Sequence, residues 1–239
     1  MEGVNPQPAG TNSPPAQVKL EVRQYQTGDR DTLFNIGAET AFFGAPIEAY
    51  MEDRRTFLDV FYAYYTDYEP EHAWVACVDG RVVGFLTGCT DTHRQEKIMQ
   101  SKLVPGVLWN VLCRRYKVGP KVWRYTREIV AAGLRGEFPP ADVARFPAHM
   151  HINLLDGFRG LGLGRRLMQA YLAQLQETGI PGVHLHTTSL NEAACHLYEA
   201  SGFRIWAAHP SRMWRYLIDR PVENRCYARE IPVSAEEEI

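Results

Sequence analysis

The chain has 239 residues, 45% of them hydrophobic, enough to bury one sizeable core. Its 26 basic and 28 acidic side chains nearly cancel, which argues against a general electrostatic grip on nucleic acid and leaves charge to act locally. No apolar run approaches the roughly 18 residues of a membrane span, and five widely spaced cysteines without CxxC pairing fit a reduced, cytoplasmic protein.

In chain order, residues 1–17 hold four prolines and no basic region followed by an apolar one, and predict a disordered tail. Order should begin at Val18-Lys-Leu-Glu-Val22, whose alternation marks a strand with one wet face. A helix is expected after Asp29, with Phe34, Ala38 and Ala41 on one stripe, and a second over Arg54 to Tyr65. Ala73 to Val78 and Arg81 to Leu86, joined by Asp79-Gly80, read as a β-hairpin because Asp-Gly accepts the positive φ of a tight turn.

Residues 90–146 read as a helical insertion. From Arg94 to Arg127 it carries nine basic residues and one acidic one, with Trp109, Tyr116 and Trp123 interleaved. It can form solvated helix faces, a lid over an acidic or phosphorylated ligand, or a contact with a membrane surface or nucleic acid. Strand character resumes at Met150 to Leu155, followed by FRGLGLGRRL (158–167) and a helix striped by Leu163, Leu167, Tyr171 and Leu175. Gly179 and Pro181 stop that helix, and Val183 to Thr187 form the next strand. Ser189 and Glu192 fit a capping box, so a short helix is expected from Leu190 to Ser201, with Gly202 as its stop. Strands are expected over Arg204 to Ala208 and Asn224 to Ile231, with an acidic tail at 232–239. The order implies a mixed α/β sheet with a parallel βαβ crossover.

Glycines between a strand and a helix bare main-chain N–H groups at the positive end of a helix dipole, a natural anion cradle, although close packing alone would also explain them. The GxGxxG dinucleotide fingerprint fits poorly, since its third glycine position is Arg165, and no GxxxxGK[ST] run exists. Arg159-Gly-Leu-Gly162-Leu-Gly164 instead matches the [QR]-x-x-G-x-[GA] signature of the GNAT superfamily of acyl-CoA N-acyltransferases. The run Asn191-Glu-Ala-Ala-Cys-His-Leu-Tyr198-Glu-Ala-Ser-Gly202-Phe203 resembles that superfamily's second landmark. The resemblance spans about 18–231, outside the insertion, and Pro147 to Phe203 is also similar to the acetyltransferase-like domains related to O-GlcNAcase.

The resemblance implies a GNAT-type mixed central sheet with splayed parallel strands and flanking helices, binding acetyl-CoA and requiring no metal. It assigns the coenzyme's pyrophosphate to the N–H groups of Gly160, Leu161, Gly162, Gly164 and Arg165, with Arg159 and Arg166 adding charge. It lays pantetheine along the strand edge at Leu154 and Leu155, with Asn191 touching the same arm and Tyr198 as the acid that protonates the departing thiolate. His149 and His151, one HxH pair sharing a strand face, are candidates for the proton acceptor; Asp156 is another. His184 and His186 form a second pair, which raises a metal site without completing a recognised ligand spacing. Phe42, Phe43, Tyr50 and the aromatics from Phe57 to Tyr68 are core or acceptor wall. The expected function is N-acetyl transfer from acetyl-CoA to a small-molecule or peptide primary amine in a ternary complex, with homodimerisation left open. The alternative is a non-catalytic acetyl-CoA-binding module.

Overall fold

The computed structural model describes residues 18–232; the tails expected at 1–17 and over most of 232–239 lie outside the described residues. In chain order the elements are β1 (Leu20–Gln24), α1 (Arg30–Thr40), α2 (Arg54–Phe61), α3 (Ala63–Asp67), β2 (Ala73–Val78) and β3 (Arg81–Cys89). The insertion supplies α4 (Thr92–Ile98), α5 (Val104–Leu112) and α6 (Pro120–Leu134). Then follow β4 (Ala148–Leu154), α7 (Leu163–Glu177), β5 (Gly182–Thr188), α8 (Glu192–Ala200), β6 (Arg204–Ser211) and β7 (Val222–Glu230). The strands make one seven-stranded mixed sheet in the order β1-β2-β3-β4-β5-β7-β6.

The hairpin turns where Asp79 and Gly80 take φ of 49° and 80°, the type I′ geometry that the dipeptide predicts. Only β4 and β5 are parallel, and they pair at two positions, Ala148 with Val183 and His149 with His184. Beyond them each strand follows its other neighbour: β4 stays registered with β3 as far as Leu154, and β5 with β7 as far as Thr188. The sheet therefore opens into a wedge at its centre. Tyr171 of α7 braces the closed end, its hydroxyl lying 2.9 Å from the Cys89 carbonyl and 3.1 Å from that of His149. It lies so close over Gly88 that a β-carbon there would sit 2.3 Å from its ring.

Two large cores cover the sheet, with a smaller cluster of Tyr64, Tyr65 and Cys89 beside them. One packs α1, α2, α6 and the β6–β7 connection through Leu33, Phe57, Tyr50 and Trp214; the other packs α7 and α8 through Leu167, Tyr171, Leu175 and Tyr198. The aromatic concentration is therefore mostly core, although Phe61 stays exposed.

Three local expectations are corrected. The helix predicted over Arg54 to Tyr65 is two helices, broken at Tyr62 (φ −121°, ψ −21°). That break turns the buried Tyr62 ring under the sheet against Gly37, where a β-carbon would approach it to 2.7 Å, and brings its hydroxyl to Asn153. Burying a large ring with its hydroxyl satisfied outweighs helix continuity. The Ser189–Glu192 capping box does not form: the Ser189 hydroxyl accepts the Glu223 N–H at 3.0 Å, tying the α8 approach to β7, and Asn191 stands at the helix start. The helix consequently begins at Glu192 rather than Leu190. Of the cysteines, Cys113 is exposed on the insertion and the other four are buried. No helix among the described residues is long and apolar enough to cross a membrane.

Candidate active site

The glycine loop leaves β4 through Leu155. Arg159 is extended (φ −73°, ψ 156°), Gly160 takes a positive φ of 81°, and Gly162 (φ 77°) starts α7 from the left-handed region. β-Carbons at Gly160 and Gly162 would meet no protein atom, so their absence serves the backbone path and the space in front of it. Gly164 differs: a β-carbon there would lie 3.1 Å from Leu197 and 3.3 Å from Leu154, so this glycine lets α7 press onto α8 and β4. The first intrahelical bond of α7 runs from Arg166 N–H to Gly162, and among the described residues the N–H groups of Gly160, Gly162, Gly164 and Arg165 have no protein acceptor.

These residues line a cleft of about 410 Å³ that extends past Ile152 and Leu154 to Asn153 and Thr40, with Asn191 and Leu197 of α8 opposite. Leu161 does not line it, and its side chain is 44% exposed. Leu155 contributes no free strand edge. Its N–H donates to Val83 at 3.0 Å and its carbonyl accepts from Phe158 at 3.1 Å. Strand alternation then turns the backbone groups of Ile152 and Leu154 away from β3 and into the wedge that β5 has left. The open edge is thus Ile152 and Leu154, not Leu154 and Leu155.

Arg159 lies beside Asp156 at 3.3 Å and packs its guanidinium against Gly44, where a β-carbon would approach it to 2.5 Å. Arg166 reaches the Leu20 carbonyl at 3.2 Å and does not line the cleft. Asp156 is paired and exposed, a poor setting for a proton acceptor.

Tyr198 of α8 is buried between Phe203 and Tyr227, and no hydrogen bond to a described residue engages its hydroxyl. Burial holds the phenol well above its ordinary value, and the nearby Cys195, Tyr227 and Tyr62 add to the shift. It is therefore a protonated donor at neutral pH.

On the opposite face of the wedge, the four histidines form one continuous cluster. Ring centroids of His149 lie 5.9 Å from His151 and 5.6 Å from His184, which is 5.6 Å from His186. His184 donates from Nδ1 to the Phe146 carbonyl at 2.8 Å, and His186 from Nε2 to that of Pro139 at 3.0 Å. The Tyr65 hydroxyl lies 2.5 Å from His149 Nε2 and 3.1 Å from His151 Nε2. Burial lowers all four; His149 falls well below its ordinary value, and His151 and His184 to about 4. No group of three or more His, Cys, Asp or Glu among the described residues is arranged to hold a metal ion.

Three residues absent from the expected site line the cleft, Ile152 at the open edge with Asn153 and Thr40, while Tyr62 and Tyr65 of the expected aromatic group bond Asn153 and the histidines. The period-two alternation of β4 carried a signal for Ile152 and Asn153; Thr40 had none.

A mixed sheet opened between its two parallel strands, with bare amides at the head of the crossover helix, defines an acyl-coenzyme A transferase architecture. Residues 114–203 match the model of the Acetyltransferase (GNAT) family. Over 49 residues it is 49% identical to a mycothiol acetyltransferase of Nocardiopsis dassonvillei, a match covering 20% of this chain and only 15% of that protein. Across nearly its whole length it resembles the crystal structure of SsHAT, at 28% identity and a TM-score of 0.66, covering 89% of this chain and 98% of that one. The phosphinothricin acetyltransferase of Sinorhizobium meliloti, solved with acetyl-CoA, shares the fold at 13% identity and a TM-score of 0.54, with 91% and 92% of the two chains covered.

Proposed function

We propose that the protein is an acetyl-CoA-dependent N-acetyltransferase that moves an acetyl group directly to a primary amine in a ternary complex. The observation that carries this reading is the set of N–H groups of Gly160, Gly162, Gly164 and Arg165, without acceptors among the described residues, at a cleft that leads into the β4–β5 wedge. Those amides and the α7 dipole would hold a pyrophosphate. The edge groups of Ile152 and Leu154 would pair with the amide-bearing pantetheine arm, and Asn191 would touch the same arm. Arg159 adds positive charge at the mouth.

Acetyl-CoA supplies an activated thioester carbonyl. Attack by a neutral amine forms the C–N bond from the nitrogen lone pair, and collapse breaks the C–S bond with its electron pair moving to sulfur. Tyr198 gives its O–H proton to that sulfur, and the HxH pair takes a proton from nitrogen. A backbone N–H of the open edge would polarise the thioester oxygen. No cysteine acyl-enzyme is required.

The test is calorimetry with acetyl-CoA followed by a thiol-release assay across a panel of amines. Binding with turnover supports the transferase, binding without turnover on any amine supports the alternative binding module, and no binding removes both.

A further inference from the structure

The hydrogen-bond chain that ends in the HxH pair can be read proton by proton. The Thr92 hydroxyl lies 2.7 Å from the Pro147 carbonyl, which can only accept, so its single proton is committed there. The same oxygen lies 2.9 Å from His149 Nδ1 and must accept, so His149 carries its proton on Nδ1. Cys89 Sγ, 3.1 Å from that nitrogen, is a second, weaker acceptor. His149 Nε2 is then a bare lone pair, and the Tyr65 hydroxyl donates to it at 2.5 Å. With that proton used, the Tyr65 oxygen accepts from His151 Nε2 at 3.1 Å. His151 is therefore the Nε2–H tautomer, and its Nδ1 lone pair has no donor among the described residues.

We infer that Tyr65 and Thr92 are positioning residues that fix His151 with its Nδ1 lone pair free to receive the amine proton, while His149 anchors the chain and is not the base. This rests on the acetyltransferase reading and goes beyond it, since the HxH pair by itself does not say which imidazole acts or through which nitrogen. The ring of His151 is half-buried, next to Tyr62 at 6.3 Å between centroids, and its Nδ1 edge is the one left unbonded. In the step, the nitrogen lone pair forms the bond to the acetyl carbon and the proton on nitrogen passes to His151 Nδ1. The resulting imidazolium keeps donating from Nε2 to the Tyr65 oxygen. Because the chain ends at the Pro147 carbonyl, which cannot take up a proton, it orients His151 and spreads its charge but carries no proton away. Sulfur leaves with the C–S electron pair and the Tyr198 proton. Return of the His151 proton to the Tyr198 phenolate, through solvent, restores both groups.

Nitrogen-15 spectra of the full chain with labelled histidine, at neutral pH, read the tautomers directly. The expected result is Nδ1–H for His149 and Nε2–H for His151. Tyr65→Phe should scramble the His151 tautomer and lower kcat about 10-fold or more, leaving the KM for acetyl-CoA unchanged. Thr92→Val should loosen the His149 tautomer with a smaller loss, and Thr92→Ser should restore it. His151 found protonated on Nδ1 in the unaltered protein overturns the proposal without any variant, as does a Tyr65→Phe protein that folds and keeps full kcat. A protein that binds no acetyl-CoA overturns the transferase reading and this assignment together; one that binds and turns over with the opposite tautomers overturns this assignment alone.

Discussion

Asn153 Nδ2 lies 2.7 Å from Thr40 Oγ1, a side-chain bond joining β4 to the end of α1 in the lining of the cleft. Thr40 donates its own proton to the Ile36 carbonyl, 2.7 Å away, so its oxygen can only accept from Asn153. The Asn153 oxygen in turn accepts from Tyr62 at 3.1 Å. Every polar atom of this knot thus has one possible role. Asn153→Asp replaces the donor with an acceptor against Thr40 and is expected to cost about 1–3 kcal/mol of stability. Thr40→Val should cost about 1 kcal/mol, and denaturant unfolding of both measures the difference. An Asn153→Asp protein as stable as the parent would show that the amide is not oriented by Thr40.

The glycine loop makes a second, separable prediction. At Gly160 the backbone sits at φ 81°, yet a β-carbon there would touch no protein atom. Gly160→Ala should therefore lose only about 1–2 kcal/mol of stability, from placing an L-residue in the left-handed region. Its methyl would stand in the space in front of the amides, so affinity for acetyl-CoA should fall about 10-fold or more by calorimetry. Gly164→Ala meets Leu197 and Leu154 instead and should act mainly on stability. Equal effects of the two substitutions on binding would argue against a phosphate in front of Gly160.

How far the sequence foretold this site follows from what each residue's role depends on. Gly160 and Gly162 were legible because a positive φ is a local property, and the hairpin at Asp79-Gly80 was legible for the same reason. Tyr198 stood out only through its place in a motif. The break at Tyr62 was hidden because the aromatic stripe from Phe57 to Tyr65 has good helical spacing, and only the presence of Gly37 and Asn153 across the fold explains it. Ser189 had the sequence of a cap and the position of a strand tie, a choice made by Glu223, 34 residues away. The single facing of all four histidines depends on a two-residue parallel register that no local pattern encodes.

Tyr198 supplies a kinetic prediction. Its phenol is buried and protonated, with no hydrogen-bond partner among the described residues, so removing the oxygen disturbs packing little. Tyr198→Phe should lower kcat about 100-fold, within the usual range for losing a general acid, while calorimetry shows acetyl-CoA affinity nearly unchanged. The loss should shrink with an acyl donor whose leaving thiol is more acidic, because that thiolate needs less help. A uniform loss across donors would point to a packing role.

Stability should depend on pH through His184, which is 3% exposed and donates from Nδ1 to the Phe146 carbonyl. Burial is the main cause that pushes this imidazole to about 4 in the folded protein, whereas in the unfolded chain it titrates near 6.5. Between those values the unfolded state binds more protons than the folded one, so stability rises with pH there. The contribution is complete above pH of about 6.5 and is lost as pH falls toward about 4, with a slope of at most about 1.4 kcal/mol per pH unit. His184→Asn keeps an N–H group near Phe146 but cannot be protonated, and should flatten that segment of the curve by about 1 kcal/mol per pH unit. Carboxylates with lowered values, such as Asp29 held by Arg23, contribute mainly at lower pH and should be untouched. Urea titrations at several pH values from 4 to 8 on both proteins measure the difference, and parallel curves would mean that His184 is not held neutral by its surroundings.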